Sequence, residues 1–190
     1  MANIGRILTL DISLVATGWA AVLPGDAPEP LVTFGCIITK PDRRERLKGA
    51  DDINRVSSMV RQLRDIIAEW QPGLIIGELP YGSQSATSAK AHGICLGVMG
   101  ALRVHHELPC QWVTPQASKK AVVGRKDASK EQVQAVVLQL WPEIARAKNA
   151  HLEHIADAMA ALVAARETDL YRMVAQQRRI VDGQSGEQAA

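Results

Sequence analysis

Two short apolar runs, each ending in a carboxylate, constrain this chain more than any other feature. Ile7 to Ile12 reads as a buried strand with Asp11 near its end, and Leu74-Ile75-Ile76-Gly77-Glu78 repeats the arrangement. The unbroken apolar character of the second run predicts a central strand covered on both faces, which calls for helices on each side. Ligands of open α/β sheets collect at the C-terminal ends of such strands. A carboxylate placed there loses hydration and needs a positive charge nearby.

The rest of the pattern fits this frame. Thr17 to Leu23 and Leu31 to Thr39, separated by Pro24-Gly25-Asp26-Ala27-Pro28, read as two more strands, so the chain opens on an antiparallel meander. Apolar residues at steps of three and four predict a helix from Asp51 to Trp70, closed by Pro72-Gly73. Further elements follow: a helix over Ser85 to Glu107, a strand over Cys110 to Val113, and helices over Pro115 to Val123 and Ser129 to Leu140. A last helix begins near Asn149 and runs to about Arg166. The order βββαβαβα predicts an α/β fold, one mixed sheet of about five strands flanked by helices. Residues 1–167 are read as one domain. The polar stretch 168–190, with Gln176-Gln177-Arg178-Arg179, is read as a partly disordered tail.

With 190 residues, one domain is the ordinary size. Only seven aromatics argue against a single-strand binder built on base stacking, and a formal charge of +2 requires any basic footprint to be local. Cys36, Cys95 and Cys110 are odd in number and lack metal spacing, as expected of thiols in a reducing cytoplasm. No run approaches the roughly 20 apolar residues of a membrane span. The expectation is a cytoplasmic protein, bacterial or in a host's cytoplasm if phage-encoded.

A third acidic group sits at His154-Ile155-Ala156-Asp157, where His154 and Asp157 share a helical face at i and i+3. Taken singly these residues have ordinary readings, Asp11 as a turn residue and His154 as a surface imidazole. Together, oxygen ligands with one imidazole suit Mg²⁺, with Mn²⁺ as substitute. Two such ions about 3.5–4 Å apart would serve in-line phosphodiester hydrolysis.

On these motifs the chain resembles the RuvC family of Holliday-junction resolvases, within the RNase H-like nucleases. Leu8-Thr9-Leu10-Asp11 with Thr17-Gly18-Trp19 is similar to the family's first strand and catalytic Asp, and Ile75-Ile76-Gly77-Glu78 to the strand with its catalytic Glu. His154-Ile155-Ala156-Asp157-Ala158-Met159-Ala160 resembles the catalytic helix, with His154 where many members carry Asp. Pro115 to Gly124 and Ala128 to Val133 resemble the DNA-contacting segments, with Lys119 and Lys130 at the important lysine positions. Ile12-Ser13 replaces the Pro-Gly common after the first Asp, and Leu79-Pro80-Tyr81 departs from the usual stretch after the Glu.

The resemblance implies a homodimeric, metal-dependent endonuclease acting on branched DNA. Asp11, Glu78, His154 and Asp157 would be catalytic and metal-binding. Lys119 and Lys130 would contact the scissile phosphate, and Tyr81 would wedge against bases. Residues 115–135 carry a net +3 through Lys119, Lys120, Arg125, Lys126 and Lys130, a DNA-binding footprint or else a solvated face. The Lys40–Lys48 loop and Glu153 are read as plain surface. Gly93 and Gly97 lie on one face of their helix, fitting either tight packing on the sheet or a homodimer seam. Two other functions stay open: a catalytically inactive junction-binding protein, and an actin/sugar-kinase-like ATP-binding protein, although no second Gly-rich phosphate loop is visible.

Overall fold

The computed structural model describes residues 5–79, 82, 83 and 85–187. β1 (Ile7–Asp11), β2 (Ala16–Val22) and β3 (Leu31–Ile38) form the antiparallel meander. β4 (Leu74–Glu78) pairs parallel with β1, and β5 (Cys110–Val113) parallel with β4, so the five strands run in the order β3-β2-β1-β4-β5. The fold is the α/β class expected from the sequence, one mixed five-stranded sheet flanked by helices. β1 and β4 sit at its middle, which is why both read as continuous apolar runs.

Alternation along the strands sorts the core into two layers. Ile7, Leu74 and Ile76 face one layer, packed by α4 (Lys130–Leu140), α5 (Asn149–Ala165) and α6 (Asp169–Glu187). Leu8, Leu10 and Ile75 face the other, formed by α1 (Lys48–Trp70) and α2 (Ala86–His106). α1 buries Met59, Leu63 and Ile67 at four-residue steps and ends at Gln71 in the left-handed region, just before Pro72. The short α3 (Pro115–Val123) follows β5, and a 3₁₀ turn (Pro142–Arg146) joins α4 to α5. No helix among the described residues is long and apolar enough to cross a membrane.

Within the stretch read as a partly disordered tail, residues 169–187 form α6. Its Tyr171, Val174 and Ala175 are buried at i, i+3 and i+4 and join the first core layer. The carboxylate of Glu29, buried in the turn between β2 and β3, holds it there. It accepts hydrogen bonds from Arg166 Nε and Nη2 at 2.8 and 2.5 Å and from the Tyr171 hydroxyl at 2.5 Å. Burial and this carboxylate push the Tyr171 phenol above its ordinary range. Trp141 Nε1 donates to the Glu29 carbonyl at 2.7 Å, and the Arg166 guanidinium lies over the indole. Removing one partner of such a buried pair typically destabilises by roughly 3–5 kcal/mol.

Gly93 and Gly97 do not pack on the sheet. A Cβ at either would meet nothing within 4 Å, and the same holds for Gly100 on α2. Tight packing on the parent sheet is therefore excluded as their reason.

Candidate active site

Asp11 and Glu78 are register partners across the parallel β1–β4 pair. Neighbouring strands lie about 4.8 Å apart and register partners point the same way, so both carboxylates emerge side by side on the α5 face. α5 crosses above them with His154 and Asp157 one turn apart. The approach is unusually close because Gly18, the register partner of Asp11 on β2, has no side chain. A Cβ at Gly18 would lie 2.0 Å from the His154 carbonyl oxygen. The buried alanines of α5 (Ala156, Ala158, Ala160, Ala161 and Ala165) serve the same end. His154 Nδ1 reaches 3.2 Å from Asp11 Oδ2.

These four side chains line one cleft of about 300 Å³. Lys119 enters it from α3, whose first turn is capped by Thr114, and Lys130 from the first turn of α4, fixed by the reciprocal Ser129–Gln132 capping box. The Lys130 ammonium pairs with Glu153, whose side chain stays 45% exposed at the cleft wall. Lys120, Arg125 and Lys126 are exposed, do not line the cleft, and lie on the outer surface of the α3–α4 segment. Arg125 pairs with Asp127 at 3.1 Å. Tyr81 lies outside the described residues.

Sequence reasoning missed three contributors. Ser13 and the buried Ser118 line the cleft, and a Ser118 hydrogen bond acts on the Glu78 carboxyl. Arg55 of α1 is the third: its Nη2 donates to the Leu14 carbonyl at 2.8 Å, an acceptor shared with the Thr39 hydroxyl. With Thr17 Oγ1 donating to the Ser13 carbonyl at 3.0 Å, these bonds fix the turn that follows Asp11. A serine in a lysine-rich stretch and an arginine 41 residues from its acceptor carry no local signal.

Burial first, and neighbouring negative charge second, set the electrostatics of the cleft. Glu78 is pushed up to about 7 by burial and by the charges of Asp11 and Asp157, against the Ser118 hydrogen bond and the Lys119 ammonium. Asp157 is likewise pushed up to about 7 by burial and Asp11, with Lys130 opposing. His154 is held above the usual imidazole range, chiefly by its hydrogen bond to Asp11. Without a cation, the cleft therefore retains protons that water would remove. Three carboxylates and one imidazole suit a hard divalent cation in kind, and such a cation would relieve the same repulsion. Among the described residues no three His, Cys, Asp or Glu side chains are already drawn close enough to hold an ion.

Known proteins resemble this chain over most of its length. A family model described as crossover junction endodeoxyribonuclease RuvC matches residues 7–165. A protein of that name from Neisseria meningitidis is 31% identical over 135 residues, covering 71% of this chain and 72% of its own. Another from Pelobacter propionicus is 33% identical over 144 residues, 75% of this chain and 78% of its own. Among solved structures, RuvC of T. thermophilus in complex with a Holliday junction substrate superposes with a TM-score of 0.68 at 19% identity, covering 84% of this chain and 92% of that one.

Proposed function

The chain belongs to the RuvC family of crossover junction endodeoxyribonucleases, and from that premise we propose that it resolves Holliday junctions by paired, metal-dependent phosphodiester hydrolysis. One observation carries the reading: carboxylates from β1 and β4 and a His–Asp pair from α5 share a single cleft with two lysines. All the positions that chemistry needs are filled, which speaks against an inactive binding module.

Asp11, Glu78 and Asp157 would hold two Mg²⁺ ions, or Mn²⁺ in their place, with His154 as a further ligand or as the group that orients the attacking water. A divalent metal bound by these residues would supply a water ionised at neutral pH and offset charge on the leaving oxygen. The protein's own part is positional and electrostatic. Lys119 and Lys130 bind the non-bridging oxygens of the scissile phosphate, which requires Lys130 to exchange the Glu153 carboxylate for the phosphodiester. The turn pinned by Arg55 keeps Asp11 fixed as the phosphate enters. Lys120, Arg125 and Lys126 meet the backbone farther out, contributing affinity without sequence information. Tyr81, three residues beyond Glu78, stacks on an unpaired base at the crossover.

Two symmetric cuts on a four-way junction call for two sites, and a homodimer through the Gly93–Gly97 face of α2 provides them. The free cysteines fit a reducing cytoplasm.

A labelled four-way junction tests the reading. The Asp11→Asn protein is expected to bind it with wild-type affinity yet cut it at least 1,000-fold more slowly in Mg²⁺, roughly 4 kcal/mol of transition-state stabilisation. Retained cutting would overturn the site assignment.

A further inference from the structure

β1, β3 and β4 all end at one edge of the sheet, since β2 runs antiparallel to both β1 and β3. The loop after β3, residues 40–48, therefore leaves the sheet at the edge where Asp11 and Glu78 open into the cleft. Its root is tied there: Thr39 N donates to the Val15 carbonyl at 3.0 Å and the Thr39 hydroxyl to that of Leu14. Asp11 is in register with Gly18, and Gly18 with Cys36, so only two strand spacings, about 10 Å, separate the catalytic strand from β3. The strand order puts this loop on the opposite flank of the cleft from the lysine-bearing α3 and α4, which follow β5.

The loop carries Lys40, Arg43, Arg44, Arg46 and Lys48 against Asp42 and Glu45. Both acids are turned inward on the loop's own backbone: Asp42 Oδ1 accepts from Arg44 N at 2.9 Å and Glu45 Oε1 from Leu47 N at 2.9 Å. Asp51 of α1 accepts from Asp42 N at 2.8 Å. The five cations are exposed, and among the described residues none has an ion-pair partner. Lys48 even occupies the first turn of α1, where the helix dipole disfavours a cation. A loop organised by its acids to project unpaired cations is built to meet anions.

We infer that the 40–48 loop is a second nucleic-acid surface, gripping the phosphodiester backbone of a duplex arm on the β3 side of the cleft. The inference rests on the nuclease reading for the identity of the ligand. A duplex presents one charge per about 1.7 Å of axis, so an arm lying across the cleft brings several phosphates over this flank. The contact is to backbone charge and is therefore indifferent to sequence.

The test is the salt dependence of four-way-junction binding by the full chain without Mg²⁺. In the Arg43→Gln, Arg44→Gln, Arg46→Gln variant, the slope of log K against log salt should become shallower by about 0.9 per lost contact, roughly 2–3 in all. The charge-preserving Arg43→Lys, Arg44→Lys, Arg46→Lys variant should keep the wild-type slope. So should Arg61→Ala, which sits far along α1. An unchanged slope in the glutamine variant, or an equal loss in the lysine variant, overturns the inference alone. Absence of junction binding by the unaltered chain overturns it together with the functional reading.

Discussion

α5 and α2 are both rich in small residues and lie against the same sheet, yet they use smallness in opposite ways. On α5 the alanines point inward, nine of its residues are buried, and the helix settles onto β1 and β2 until Gly18 alone fits beneath His154. On α2 the small residues point outward. Only Cys95, Val98, Met99 and Leu102 are buried, while Gly93, Gly97 and Gly100 face open space beside Leu96 and Val104, 45% and 77% exposed. A glycine inside a helix costs up to about 1 kcal/mol relative to alanine, and among the described residues nothing packs against these α2 glycines to offset it. α5 is buried over the cleft, whereas α2 covers the sheet with one face and leaves its glycine-bearing face exposed.

The sharpest way to break this contrast is to give Gly18 a side chain. In Gly18→Ala the new methyl would meet the His154 backbone, and only displacement of α5 relieves the clash. The expected loss is on the order of 3 kcal/mol in denaturant unfolding. Cleavage should fall by about 100-fold as His154 and Asp157 shift from Asp11 and Glu78.

A second prediction probes the charge stored under α5. Glu78 and Asp157 ionise near 7 in the folded protein instead of at their ordinary 4.5 and 3.8, so the folded state holds more protons than the unfolded between those limits. Stability of the metal-free protein therefore falls as pH rises from about 4 through 7, and the deficit is complete above that. Glu78→Gln should raise stability at pH 8 by on the order of 2 kcal/mol and leave it unchanged at pH 4, as read by urea midpoints. A gain of equal size at both pH values would show that charge is not its source.

The smallest effect belongs to the exposed face of α2. Gly97→Ala places a methyl in open space, so the isolated protomer should gain up to about 1 kcal/mol. Sedimentation should meanwhile show weaker self-association. A variant that associates as tightly as the wild type would remove α2 from the dimer seam.

What could be read from the sequence was what local pattern encodes. The strands ending in Asp11 and Glu78 were visible as apolar runs, and His154 and Asp157 as a helical pair. What stayed hidden depends on residues far apart in the chain. Lys130 and Glu153 are 23 positions apart, and nothing near Glu153 marks it as a partner. The buried stripe of α6 was present as Tyr171, Val174 and Ala175. It was masked by the glutamines and arginines of its other face, and its anchor, Glu29, lies 142 positions before Tyr171. Gly18 showed in a motif, but its reason, the backbone of α5, appears only in three dimensions.

That anchor changes where this chain can be cut. The family likeness ends at residue 165, one position short of Arg166. A fragment trimmed to that boundary would discard both Arg166 and Tyr171 yet keep Glu29, whose carboxylate they satisfy. It would expose the apolar groove that α6 fills and strand a naked anion inside the protein. The helix that homology leaves out is thus the lid of the hydrophobic interior, and any shortened version should retain it.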